Sequence, residues 1–325
     1  MREPNFSFPG QNRAAICITS SIYDRRALDC TDYIPIINTL TNLAYLTGST
    51  PTIREYITRD GGLERLVTIL KNTKVNDRKN GLKWTLAFQC VVNIGVRGTE
   101  HIRKRVVQAG MVPVIVNVLE SFFAVLKSAG QAAQDASHPD DARSIAQDGA
   151  TGEARPQQFF YREDDILHSL QLLAYLSKYP SLRSSFHTES GSNVFAIVEK
   201  FTHRTMHPLE IQYWAGVIMR NACRKDDTRK GIRQCAYTGC GKWETKPREF
   251  AKCRRCRKAK YCSKQCQSKA WNEGHRWWCI EKKAETMASA NATTGTITAT
   301  CAASATTSAT AATATGTVPN DAPSG

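Results

Sequence analysis

The chain has 325 residues, 41% of them hydrophobic, and 44 Lys and Arg against 29 Asp and Glu give it a formal charge of +15. That length accommodates one sizeable core plus a small module, and no run of 18 apolar residues is present to cross a bilayer. The opening MREPNFSFPGQNRAAIC lacks an apolar secretory run, so reduced thiols and a cytoplasmic address, with the nucleus as a second compartment, are expected.

Residues 1–32 carry no clear periodicity, and Cys17 and Cys30 are expected to pack as small hydrophobes. From Ile34 the pattern becomes helical and then repeats. IPIINTLTNLAYL is followed by TPTIREYITRDGGLERLVTIL, and LKWTLAFQCVVNIGV by TEHIRKRVVQAGMVPVIVNVL. Ile53, Arg54, Ile57, Gly61, Leu66 and Leu70 stand 49 residues before Ile102, Arg103, Val106, Gly110, Ile115 and Leu119, while Asn42 and Asn93 differ by 51. Units of this length, with a Gly between a short helix and a long apolar one, predict an armadillo-like solenoid in which each unit covers the apolar face of the next.

A degenerate continuation runs through ILHSLQLLAYL, Leu182-Arg183 with Phe186, NVFAIVEKF and EIQYWAGVIMRNACRKD. Ala87 and Asn93 pair with Ala215 and Asn221 at an offset of 128. The repeat domain is therefore expected over 33–224, with Cys90 and Cys223 buried in it. Residues 127–162 are small and polar and predict a flexible insertion, and the Ala- and Thr-rich tail 285–325, with Cys301 alone in it, predicts disorder.

Residues 235–279 hold seven of the twelve cysteines and one of the seven histidines. They fall in close pairs: Cys235 with Cys240, Cys253 with Cys256, Cys262 with Cys266, and His275 with Cys279. Paired soft ligands separated by a tight turn or one helical turn suit two tetrahedral Zn2+ ions, with Gly239 giving the first pair room to close. A disulfide framework is disfavoured by the odd cysteine count and the paired spacing, and an iron–sulfur cluster by the His275 pair.

Cys253-x-x-Cys256, Tyr261-Cys262-x-x-x-Cys266, Trp271 and His275-x-x-x-Cys279 together resemble the MYND-type zinc fingers, with Cys235-x4-Cys240 a departure from the usual Cys-x-x-Cys. The resemblance implies interleaved ligation, with Cys235, Cys240, Cys262 and Cys266 on one ion and Cys253, Cys256, His275 and Cys279 on the other. Spacing alone leaves sequential filling open. Two such closed sites imply structural zinc and no hydrolysis. The resemblance also implies a shallow groove for short Pro- and Leu-containing peptides, matched here by Ser263, Gln267 and Trp271. The order of armadillo-like repeats followed by this finger is similar to the fungal samB family. That similarity implies roles in polarised growth, hyphal branching and conidiation, and adaptor service to a ubiquitin ligase, as in a yeast relative.

No P-loop, nucleophile elbow, H-E-x-x-H helix or paired carboxylates beside a base is present, and the strand-rich span of a SET methyltransferase is missing. The RING spacing of a direct ligase is also missing. From Arg224 to Lys283 there are 19 Lys or Arg against 6 Asp or Glu, so +13 of the charge lies there. Such a surface steers an acidic protein or contacts phosphates without sequence preference, and the spacing of a DNA-reading finger is absent. The expectation is a non-catalytic adaptor, mainly α, that binds proteins and no membrane. The alternatives are a nuclear transcriptional cofactor and, further off, a direct nucleic-acid binder.

Overall fold

The computed structural model describes residues 23–135, 161–186 and 193–281. Its first long helix, α1 (Tyr33–Ser49), is followed by three helix triads: α2 (Pro51–Arg59), α3 (Gly62–Asn72) and α4 (Arg78–Arg97); α5 (Glu100–Gln108), α6 (Met111–Asp135) and α7 (Glu163–Ser177); α8 (Pro180–Arg183), α9 (Val194–Lys200) and α10 (Leu209–Ala222). The third helices stack in the order α1, α4, α7, α10, while α2 packs on α5, α3 on α6, and α6 on α9. This stacking of equivalent helices makes the fold a mainly α, armadillo-like solenoid, with three complete units behind one leading helix among the described residues.

Local chemistry explains the repeat. Pro51 and Pro180 open α2 and α8 at a position where a missing N–H costs nothing. Gly61 and Gly110, equivalent by the 49-residue offset, have φ of 87° and 86°, the left-handed turn that lets the short helix fold back onto the long one. Ile53, Ile57, Ile102, Val106, Leu182 and Phe186 are all buried at matching places, and each such side chain contributes roughly 1.5–3 kcal/mol.

The repeated arginine has a definite task. Arg54 donates to Thr47 O at 2.7 Å, and Arg103 to Gly95 O and Val96 O at 2.9 and 2.8 Å. Arg183 donates to Ser177 O, Asn221 O and Lys225 O at 3.5, 3.2 and 3.0 Å. Each guanidinium thus supplies donors to the last turn of a long helix, where carbonyls lack intrahelical partners and the dipole favours a cation.

The asparagines bind successive layers. Asn93 donates to Ala44 O (3.1 Å) and Thr47 Oγ1 (3.4 Å), and Asn221 makes the same pair of bonds to Ala174 O (3.1 Å) and Ser177 Oγ (3.0 Å). Asn42, expected to match Asn93, is exposed instead, because α1 has no preceding layer among the described residues.

Other expectations need correction. Part of the stretch read as a flexible insertion has regular structure: α6 continues to Asp135, and Tyr161 packs its ring 4.8 Å from Trp84. Residues 136–160 and the tail 285–325 with Cys301 lie outside the described residues, as does Cys17. Residues 1–32 are not uniformly featureless. A 3-10 turn, Arg25–Asp29, buries Leu28, and Tyr23 Oη donates to Asp60 Oδ1 at 2.8 Å. Cys30 is only half-buried, its thiol near Asp32 O, whereas Cys90 and Cys223 are in the core.

After α10 the chain does not swing freely. Asp226 caps the 3-10 turn Asp227–Arg229, exchanges a bridge with Ile232, and Gln234 bridges to Trp243. A two-stranded antiparallel ribbon, β1 (Ala251–Lys252) and β2 (Lys260–Tyr261), and the helices α11 (Lys264–Ala270) and α12 (Arg276–Trp278) complete the finger. The apolar core continues from the solenoid helices into the finger through Cys223, Phe250, Tyr261 and Trp278.

Candidate functional site

Eight ligand side chains converge in two groups. Cys235, Cys240, Cys262 and Cys266 form one, and Cys253, Cys256, His275 and Cys279 the other, with all ligand atoms of each group within 4.8 Å of one another. The pairing is interleaved. β2 delivers Cys262 from its end, and α11 brings Cys266 one turn further on. The π-helical turn Trp271–His275 presents His275, and α12 ends at Cys279.

The first pair closes by a turn in which Cys240 N donates to Tyr237 O at 3.0 Å. The left-handed glycine is Gly241 (φ 70°), after Cys240, and not Gly239, whose α-carbon faces the Tyr237 ring.

The distances fit zinc. Bonds of about 2.3 Å from a tetrahedral ion place sulfurs about 3.8 Å apart. The Sγ separations are 3.6 Å for Cys240–Cys262, 3.5 Å for Cys262–Cys266 and 3.9 Å for Cys253–Cys279, and Cys256 Sγ lies 3.8 Å from His275 Nε2. A disulfide needs about 2.05 Å.

Electrostatics point the same way. Burial pushes the Cys235 thiol up to about 12 and raises Cys256, Cys262 and Cys279, so a dication is what makes these groups thiolates at neutral pH. Burial holds His275 down at about 4, which keeps the imidazole neutral and ready as a ligand. Its Nδ1 is buried without a hydrogen-bond partner, and rings orient it instead: Trp278 edge-on at 4.2 Å, Trp271 at 5.7 Å and Tyr261 at 5.8 Å.

Each group supplies four protein ligands, the complement of a closed structural site, and the two fit two zinc ions. Seven thiolates against two dications carry a net −3, which offsets part of the finger's positive charge.

Inside the finger, sequence reading missed the Glu244–Lys260 pair. Its side chains are 0% and 2% exposed, and Nζ lies 3.3 Å from Oε1. Glu244 also accepts from Arg233 N (3.0 Å) and Phe250 N (3.2 Å), so the carboxylate ties three loop segments together with its polar capacity filled.

The expected peptide residues share the α11 side of the finger. Ser263 is exposed and caps α11, its hydroxyl accepting from Cys266 N at 3.1 Å. Gln267 is half-buried. Trp271, at the end of the helix, remains 36% exposed while its ring lies beside His275. Of the other aromatics, Phe250, Tyr261 and Trp278 are core, and Trp243 and Trp277 are half-buried against Arg229 and His203.

The finger is seated on α9 and α10. Glu199 is buried at the seam, accepting from Trp278 Nε1 at 3.0 Å and Thr238 Oγ1 at 3.1 Å, and Asn193 donates to Thr238 O at 3.1 Å. Burial raises the Glu199 carboxyl above its ordinary range, against those two hydrogen bonds. Gly274 is the contact that allows the approach: a methyl there would stand 2.4 Å from Glu199 Cγ. A lone acid in the apolar run NVFAIVEKF was the available cue for Glu199, but nothing near it in sequence identified its partners.

Residues 235–279 match the MYND finger family. The chain is similar to MYND-type zinc finger protein samB of Aspergillus clavatus, 27% identical over 595 aligned residues that take in 86% of this chain and 99% of that protein. The samB proteins of Aspergillus terreus and Emericella nidulans are likewise 27% identical, with 86% of this chain covered and 99% and 100% of theirs. An alignment of 595 residues exceeds the 325 of this chain, so the relatives contain long segments without a counterpart here. Among solved structures, a designed armadillo repeat protein matches with TM-score 0.42 and 14% identity, covering 64% of this chain and 66% of its own. A second, solved in complex with the peptide (KR)4, matches with TM-score 0.43 and 13% identity over 70% and 82%.

Proposed function

We propose that the chain is a zinc-stabilised, non-catalytic adaptor that links a ubiquitin ligase to substrates and acts in fungal polarised growth, hyphal branching and conidiation from the cytoplasm. In this reading the finger captures a short Pro- and Leu-containing segment across Ser263, Gln267 and Trp271. The solenoid holds the ligase, so that the two partners are kept at high effective concentration. The observation that carries the reading is Trp271: both metal groups are closed by protein ligands, and this large aromatic stays exposed at the end of α11. The similarity to samB supports the cellular context.

The test is recovery of partners from fungal cells with wild-type and Trp271→Ala chains, both checked for zinc content. Ligase subunits enriched with both chains, and a second set of partners lost with the variant, would support the reading. Loss of zinc in Trp271→Ala would assign the ring to packing, and chromatin factors in place of ligase subunits would favour a transcriptional cofactor.

A further inference from the structure

A cavity of about 320 Å³ lies at the seam between solenoid and finger, on neither the zinc groups nor the Trp271 surface. Its walls come from both parts. Arg183 on α8, Phe195 on α9 and Arg224 just after α10 form one side, Gln234 and Trp243 of the finger the other, and Arg229 belongs to the connecting turn. Such a space exists only while the finger is docked.

Three guanidinium groups and one carboxylate line it, so it is electropositive. The carboxylate, Asp226, is already engaged: Oδ1 accepts from Thr228 N at 3.0 Å and from the Thr228 hydroxyl, and Oδ2 lies 4.0 Å from Arg229 Nε. The hydrogen bonds of Arg183 run to carbonyl oxygens, which orient its charge without neutralising it. Arg224 is exposed at the rim. Arg229 sits over Trp243, its Cζ 4.4 Å from the ring centroid, so its donors are held beside an aromatic surface.

We propose that this cavity binds an acidic peptide segment of a partner protein, with a Glu or Asp carboxylate on Arg224 and Arg229 and a neighbouring apolar side chain against Trp243. Planar guanidinium groups match a carboxylate in two-point fashion. Phe195 and Trp243 add apolar wall beside the guanidinium groups, which suits the side chain that flanks an acidic residue in a peptide. The surplus of +13 from Arg224 to Lys283 steers an acidic chain toward the seam from a distance.

The probe is a fluorescein-labelled Gly-Phe-Glu-Leu-Glu-Gly peptide, titrated by anisotropy into the zinc-loaded full chain beside its Gln-for-Glu counterpart and labelled oligothymidine. The Glu peptide is expected to bind at least about tenfold more tightly than the Gln peptide, the order of one charge-assisted contact. Arg224→Glu with Arg229→Glu should remove that difference, and Trp271→Ala should leave it intact. Should the double variant lose zinc or helix content, Arg224→Gln serves, since its side chain is exposed, and an affinity loss of at least about fivefold is expected of a rim charge. Equal affinity for the two peptides, or no effect of either arginine substitution, overturns the proposal. Oligothymidine binding more tightly than the Glu peptide, with the same arginine dependence, overturns it in favour of a nucleic-acid contact.

Discussion

Gly274→Ala is the sharpest test of how the finger is held. The added methyl would stand 2.4, 2.6 and 2.7 Å from Cγ, Cδ and Oε1 of Glu199. That side chain cannot step aside without loss, because it is buried and Trp278 Nε1 and Thr238 Oγ1 hold both carboxylate oxygens. Either the finger lifts off the solenoid or Glu199 gives up a hydrogen bond. Overpacking of this kind costs about 1–3 kcal/mol and a lost hydrogen bond to a charged group about 1.5–3 kcal/mol, so a loss of about 3 kcal/mol is expected. For a domain of this size that lowers the melting temperature by about 6–12 °C. Because Gly274 supplies no ligand, the zinc content should remain at two per chain. Glu199→Ala removes the obstructing atoms, so in that background Gly274→Ala should cost under about 1 kcal/mol, a coupling of about 2 kcal/mol. The four chains of this cycle would be compared by urea unfolding with zinc present. Additive costs would refute the contact as the cause.

Cys253→Ala removes a ligand buried beside His275 and Cys279, and should leave at most one zinc by metal analysis, unfold the finger and lower the melting temperature of the helices it covers. Asn221→Ala should cost about 2 kcal/mol by urea unfolding, and Asn93→Ala less. The first loses two hydrogen bonds between buried groups, at about 1 kcal/mol each, and the second loses two made by a half-buried asparagine. Asp165 supplies a pH test. Burial pushes its carboxyl above the ordinary range, against the Arg162 N–H and guanidinium, so the folded state holds this proton more tightly than the unfolded one. Its contribution to stability is therefore greatest at low pH and declines as pH rises from the ordinary carboxylate value through the raised one. Relative to wild type, Asp165→Asn should gain stability over that window and show a constant difference above it; a constant difference throughout would refute the shift.

The repeat and the ligand pairs were legible in the sequence because both are short-range. A buried helical face recurs every three or four residues whatever lies opposite it, and the 49-residue offset carries Ile, Arg and Gly together because each unit solves the same local problem. Two ligands three to five residues apart must meet one ion whatever the rest of the chain does. The tertiary structure decided everything that depends on distant partners. Which cysteine pairs share an ion follows from how the finger's segments cross, and pair spacing is the same for interleaved and sequential filling. Glu199 reads as an ordinary helix acid until Trp278, 79 residues later, donates to it, and Gly274 as a turn residue until Glu199 lies against it. Arg183 illustrates both sides. Its repeat register was visible in sequence, but its bond to Asn221 O crosses 38 residues, and the cavity beside it exists only once the finger has docked. Local propensity sets the elements, and a buried charge or a close backbone approach takes its meaning from atoms that chain folding alone brings near.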